Sequence, residues 1–250
     1  MIDVNFDFTL DSPGYWDNFW GEDEHIPAVK VDPDTASSTL AEYNRLLWSK
    51  PLPNGSCLPL EVFKLSGSNY LKCDIKLFSS DNVICGYVYF CQKELLRKLH
   101  PSVADHRRFV EYHKHRCYTI GGTMIWPCHP QSINQCRGVS MIIRDRFDRT
   151  IECVRRFYAG ESSPLSSCFE RDRDFFELFV DFKGFIDFFF LQDIVSPDYS
   201  KVIMWLGDES FTTNPLPQTI EEYRHLLACQ YDFMDARNRR IAEWAISNNL

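Results

Sequence analysis

No stretch of this sequence is apolar for long enough to cross a bilayer. The richest run, 185–191, is interrupted by Asp187 and falls far short of the roughly 20 residues a spanning helix needs. Nor is there a basic segment followed by a short apolar core near the start, so no secretory signal is read. The ten cysteines (57, 73, 85, 91, 117, 128, 136, 153, 168 and 229) lack the regular close spacing of a disulfide scaffold. Most lie inside apolar runs, as Cys85 and Cys153 do, where a small buried thiol is the ordinary reading. These absences together lead to the expectation of a soluble, cytoplasmic protein with reduced cysteines. Internal repeats and low-complexity tracts are also missing. So are the G-x-S-x-G elbow, the Walker loop and the dinucleotide fingerprint, which removes several common enzyme classes. A net charge of −8 argues against a surface coated for non-specific DNA binding.

What is present is apolar mass. A hydrophobic fraction of 44% and an aromatic fraction of 15%, carried mainly by 20 Phe, exclude general disorder. At 250 residues the expectation is one domain, 1–250, with a substantial core. The charge is uneven. Residues 1–35 carry nine acids and one base, and 161–250 carry sixteen acids and eight bases. Residues 101–160 reverse this, with ten bases and five acids. The acidic segment 1–34 also holds Phe6, Phe8, Tyr15, Trp16, Phe19 and Trp20, and this many rings predicts that it docks on the body.

The patterning predicts an α+β protein, predominantly helical, with a small antiparallel β-hairpin or meander in the first half. A first helix is expected at Leu40, Tyr43 and Leu47, with Thr39 and Glu42 in capping-box spacing, ending in a turn at 51–55. Residues 70–75 and 83–89 read as strands flanking a turn at 79–82. Helices follow near 92–99 and from 102 towards 115. Residues 137–158 read as one or two helices, with Ile143, Phe147, Ile151, Val154 and Tyr158 on one face. The Phe-rich 169–194 is core. A last helix opens at Thr219 and Glu222 and carries the stripe Ile220, Tyr223, Leu227, Met234, Ile241 and Trp244.

The strongest candidate site lies between Thr119 and Tyr158. Gly121 and Gly122 can adopt backbone conformations that turn N–H groups towards an anion. Asn134, Arg137 and Arg146 follow beside glycines at element ends, where positioned polar groups collect. These five residues are the candidates for binding a phosphate-bearing or otherwise anionic small ligand or nucleotide. Asp145 and Glu152 are the candidate general bases. The plainer account of Asp148, Glu152 and Arg156 is an i,i+4 ladder of solvated charges. A zinc site from His113, His115, Cys117, Cys128 and His129 matches no standard ligand spacing, and no metal is assigned. Arg108 and His113 have the R-x4-H spacing that resembles helical ribonuclease toxins, in which Arg holds phosphate and His assists attack by the ribose hydroxyl. The acidic total disfavours a nucleic-acid partner. A third reading is an interaction protein without catalysis, whose acidic aromatic segment meets a protein partner. No cofactor is identified.

Several motifs occur in order: LWSKPLPNG at 47–55, TIGG at 119–122, SINQ at 132–135, RG at 137–138 and DRFD at 145–148. IECVRR at 151–156, DFKG at 181–184 and LQD at 191–193 continue them. On these, the chain resembles an uncharacterised bacterial domain-of-unknown-function family over about residues 35–240. Arg149 stands where that pattern has Leu, and the acidic start has no counterpart in it. The resemblance implies an intracellular bacterial or mobile-element protein, brings no activity with it, and marks the same central stretch as the place to look.

Overall fold

A computed structural model describes residues 1–16, 32–74, 76–83 and 116–250. The architecture is α+β: eight α-helices and one four-stranded antiparallel sheet among the described residues. The expected helices near 92–99 and 102–115, and the expected strand at 83–89 beyond Val83, lie outside those residues. No described helix is long and apolar enough to cross a membrane.

Near the start, Phe8 is fully buried, and its N–H donates to the Tyr118 carbonyl at 2.9 Å. Two helices then follow, α1 (Pro33–Ala36) and α2 (Ser38–Trp48). The cap of α2 is Ser37, whose hydroxyl accepts from Leu40 N–H, and not Thr39 as the spacing suggested. Asp32 and Pro33 explain the shift: an Asx cap and an N1 proline start a separate short turn that delivers Ser37 to the cap position.

The sheet comprises β1 (Glu61–Leu65), β2 (Ser68–Cys73), β3 (Lys76–Asn82) and β4 (Thr123–Pro127), in that order. Residues 79–82, expected as a turn, belong to β3. The chain reverses earlier, where Asp74 takes φ 49°, a region that aspartate tolerates better than most residues. A run of Ser, Ser, Asp and Asn reads as a turn only if its side chains face water. In the structure Ser79, Asp81 and Asn82 meet partners from later in the chain. β4 pairs Phe78↔Pro127 through Asn82↔Thr123, so the Thr119 region joins the sheet rather than forming an exposed loop.

Residues 137–158 form two helices, α3 (Ile133–Val139) and α4 (Phe147–Ala159). Between them Arg144 and Asp145 both have positive φ, which breaks the helix. Ile143, Phe147, Ile151 and Val154 are all fully buried. Next come α5 (Ser166–Arg171), α6 (Arg173–Glu177) and α7 (Phe182–Phe188), each too short to persist without tertiary packing. They are held by rings: Phe179 lies 5.1–5.2 Å from Phe175, Phe185, Phe188 and Phe189. Each such buried ring contributes about 1.5–3 kcal/mol. The last helix, α8 (Ile220–Ser247), is capped by Thr219, which accepts from Glu222 N–H at 3.1 Å. Glu222 in turn accepts from Gln218 N–H. The buried side of α8 carries Tyr223, Leu227, Met234 and Ile241, and also Gln230 and Arg237.

Candidate functional site

β3 alternates its side chains, so Ser79 and Asp81 point the same way. On α3, Asn134 and Arg137 are three residues apart and share a face. The two pairs meet: Asn134 Nδ2 donates to Ser79 Oγ at 3.2 Å, and the Arg137 guanidinium forms an ion pair with Asp81. Arg137 is fully buried. The turn before α4 closes around it. Asp145 N–H donates to the Arg137 carbonyl at 3.0 Å, Arg137 donates back to the Asp145 carbonyl at 3.2 Å, and the Asp145 carboxylate lies 3.2 Å from the guanidinium. Its Nε also reaches the Thr150 hydroxyl at 3.4 Å. The positive φ of Asp145, 61°, lets one residue offer both carbonyl and carboxylate to the same cation.

A third carboxylate belongs to this centre. Asp34 on α1 is 7% exposed; the Asn82 backbone N–H donates to its carboxylate, and its Oδ1 has no hydrogen-bond partner among the described residues. Burial raises the Asp34 pKa well above the ordinary carboxylate value, and the charges of Asp32, Asp81 and Asp145 add to the rise. Burial likewise pushes Asp81 up to about 7, with Arg137 opposing and Asp145 reinforcing. Asp32 is raised by burial. Tyr15 and Tyr118 touch hydroxyl to hydroxyl beside this cluster, and burial raises both phenols, with Asp32 contributing to each. Among the described residues one guanidinium faces three carboxylates, and burial favours the retention of protons among them. Nearby, Asn69 Nδ2 donates to the carbonyls of Thr35 and Ala36, which fixes the amide and leaves Asn69 Oδ1 buried without a donor. Asn134 Oδ1 is unpartnered as well.

The other sequence candidates fall into separate networks. Gly121 N–H donates to Asn238 Oδ1 at 2.7 Å and Gly122 N–H to the Thr119 carbonyl at 2.9 Å, so neither amide is turned to solvent. The glycines permit close packing instead. A Cβ at Gly121 would lie 2.5 Å from the Met234 carbonyl, and one at Gly122 would lie 2.7 Å from Met234 Cε. Arg237 of α8 locks this corner by donating to the carbonyls of Gly121, Thr123 and Phe189. Arg146 is fully buried, pairs with Asp148, and donates to the carbonyls of Pro215 and Leu206 at 2.7 and 2.8 Å. Asp148 also accepts from Trp205 N–H at 2.8 Å.

The charges on α4 are not a solvated ladder. Asp148, Arg149 and Glu152 are buried, and Glu152 is held by both Arg155 and Arg156 at 2.9 Å. Of the seven candidates, Asn134, Arg137 and Asp145 therefore come together. Gly121, Gly122, Arg146 and Glu152 each sit in other contacts.

Arg108, His113 and His115 lie outside the described residues. Cys117 is buried, 3.6 Å from the Tyr231 hydroxyl, and burial pushes its thiol up to about 12. His129 Nε2 meets Asp172 at 2.7 Å; burial opposes protonation, but that carboxylate outweighs it and raises the imidazole pKa. Among the described residues no three His, Cys, Asp or Glu are placed to hold a metal ion. Not every cysteine stands apart: Cys136 on α3 and Cys168 on α5 lie at disulfide distance. Cys57, Cys73, Cys117, Cys128, Cys153 and Cys229 are free. The apolar setting that suggested buried single thiols holds for Cys117 and Cys153, whereas spacing could not show that Cys136 and Cys168 meet.

Asp34 and Asp81 were missed by sequence reasoning. The available signal was the complementarity of Ser79 and Asp81 at strand spacing with Asn134 and Arg137 at helix spacing. The profile of a family described as "Family of unknown function (DUF6994)" matches residues 2–241. No curated protein and no solved structure matches the chain.

Proposed function

The chain belongs to that family, whose description carries no activity, and we propose that the carboxylate centre around Arg137 is a proton-exchanging site for a small ligand rich in hydrogen-bond donors, an amine first of all. One observation carries the reading. Asp34 Oδ1 is buried, has no hydrogen-bond partner among the described residues, and feels the charges of Asp81 and Asp145. A buried carboxylate oxygen without a donor costs stability, and native structures retain few such groups without a use. Asn69 Oδ1 and Asn134 Oδ1 add two more acceptors in want of a donor.

Arg137 has a positioning role in this scheme: it holds Asp81 and Asp145 in fixed directions. Asp81, pushed up to about 7, is the group suited to exchange a proton at neutral pH. A bound ammonium would supply the missing positive charge and draw a proton off the cluster. This reverses the expected ligand charge. An anion needs guanidiniums to spare, and Arg137 and Arg146 are already paired with Asp81 and Asp148.

The test is thermal denaturation of wild type and Asp34→Asn with ethylamine, putrescine, inorganic phosphate and a nucleotide. The reading expects the amines to raise Tm in wild type only. Stabilisation by phosphate or nucleotide, with none by amines, would overturn it in favour of the anionic ligand.

A further inference from the structure

Two cysteines that stand 32 residues apart in the chain, Cys136 and Cys168, lie at disulfide distance across α3 and α5. Their Cα atoms are 6.9 Å apart, inside the roughly 7 Å beyond which two cysteines cannot be bridged without moving backbone. A disulfide scaffold pairs its thiols, because unpaired ones exchange with the bridges. Here six described cysteines are free, with Cys57 on the surface and Cys73, Cys128 and Cys229 half-buried. One pair among that many free thiols fits a couple that opens and closes better than a fixed staple.

Both redox states have a place in the fold. Cys136 is half-buried, and its Sγ lies 3.4 Å from the Gln131 carbonyl, an acceptor for the thiol proton. Cys168 is 3% exposed, and a reduced thiol there is a small apolar group in apolar surroundings. A reagent arriving from solvent therefore meets Cys136 first. The opened state keeps another tie between the helices: Asp172, which ends α5, accepts from Ile133 N–H at 3.3 Å and meets His129 Nε2 at 2.7 Å. α3 is thus gripped from two sides. Asn134 and Arg137 hold it to Ser79 and Asp81 of β3, and Cys136 holds it to α5. A helix of seven residues does not persist by itself, so the loss of one grip registers in its backbone.

We propose that Cys136 and Cys168 form a reversible thiol–disulfide couple whose closure tightens the hold on α3, the helix that carries Asn134 and Arg137. The oxidant is a small-molecule disulfide such as glutathione disulfide. The Cys136 thiolate attacks one of its sulfurs, which forms a mixed disulfide and expels one glutathione thiolate. The Cys168 thiolate then attacks the Cys136 sulfur, forming the Cys136–Cys168 bond and expelling the second glutathione. The two protons lost by the protein thiols end on the two glutathiones. Two thiols are oxidised and one disulfide is reduced, and excess glutathione runs the same steps backwards.

The test equilibrates the full chain in two glutathione buffers, one rich in the disulfide and one in which millimolar glutathione predominates. Thiols are trapped with N-ethylmaleimide in denaturant and mapped by peptide, and amide hydrogen exchange is followed on the same samples. The expected result is a Cys136–Cys168 bond closed in the first buffer, open in the second, and closed again on return. In the opened chain the amides of 133–139 should exchange about ten-fold faster or more, while those of α8 keep their rates. Cys136→Ala should show the faster exchange in both buffers; should that variant not fold, wild type in the two buffers carries the test. A bond that stays closed in millimolar glutathione is a fixed staple, and two cysteines that remain open in the oxidising buffer are plain thiols; either overturns the proposal. Equal exchange at 133–139 in both states, or an equal acceleration in α8, would overturn the link to α3. None of these readouts uses a ligand, so they stand or fall apart from the amine reading of the Arg137 centre.

Discussion

Replacing Arg137 by Met removes the charge and keeps much of the volume, and the structure sets the cost. The guanidinium is fully buried and satisfies Asp81, the Asp145 carboxylate and the Asp145 carbonyl. Without it, the Asp81 and Asp145 carboxylates lose the guanidinium that faces both, and Asp34 stands beside them. Breaking a buried pair from one side costs about 3–5 kcal/mol, and each kcal/mol moves Tm by about 2–4 °C at this size. The expected fall is therefore about 6–20 °C. Acid should shrink it, because orphaned carboxylates can take up protons and lose the charge that makes them costly. Adding Asp81→Asn to Arg137→Met should recover part of the loss, a non-additivity of at least about 1 kcal/mol for groups in direct contact. Scanning calorimetry of the four proteins at pH 5 and pH 8 measures all three effects. A Tm within about 1 °C of wild type, or a deficit that does not change with pH, would refute the reasoning about how this cluster is charged.

Asp81 makes stability depend on pH. Its folded pKa is raised from 3.8 to about 7, so the folded state holds the proton more tightly than the unfolded chain. Its contribution is full below about pH 4 and is lost as pH rises through about 7. Urea midpoints from pH 4 to 8 should show that decline in wild type and a flatter profile in Asp81→Asn, and parallel profiles would contradict it. Gly121→Ala should prevent folding or lower Tm sharply, since its Cβ would meet the Met234 carbonyl at 2.5 Å. Gly138→Ala, with nothing within 4 Å in a helix interior, should stabilise by up to about 1 kcal/mol; equal effects at the two sites would be inconsistent with the packing. Non-reducing peptide mapping should recover Cys136 linked to Cys168, and alkylation of both thiols without reductant would contradict that pairing.

The helices that face only the core were legible in the sequence. Phe147, Ile151 and Val154 repeat at helical spacing along α4 and are fully buried, with Ile143 buried in the turn before it, and Thr219 and Glu222 announce a cap that is made locally. Polar residues were harder to read, because their meaning depends on partners distant in the chain. Ser79 and Asp81 pass for a turn until Asn134 and Arg137, 55 and 56 residues later, are placed against them. The glycine pair was legible as special and not as to why: open backbone amides and a tight helix contact call for the same residue. The charged run on α4 has the spacing of a solvated face, yet Asp148, Arg149 and Glu152 are buried, with Asp148 bonded to Trp205 and Arg149 to Thr213 from later in the chain. Asp34 sat within an acidic stretch, where one carboxylate looks like the next.

Four arginines are fully buried among the described residues, at 137, 146, 149 and 237, and their surroundings differ. Arg146 and Asp148 form a closed pair, one charge against one, with both side chains fully buried and further bonds going to backbone. Arg149 and Arg237 are held by neutral acceptors, carbonyls above all, as cations that tie loops to helices. None of these three arrangements leaves a carboxylate in excess. Arg137 differs in three respects at once. Among the described residues it faces three carboxylates, the Asp81 and Asp145 side chains stay 26% and 19% exposed, and Asp34 Oδ1 beside them has no partner there. Buried ion pairs contribute little net stability even when balanced, so an unbalanced one is poorly accounted for by folding alone. Under the proposed function, solvent access at the same carboxylates would give a ligand a way in, and their negative charge would favour a cationic one.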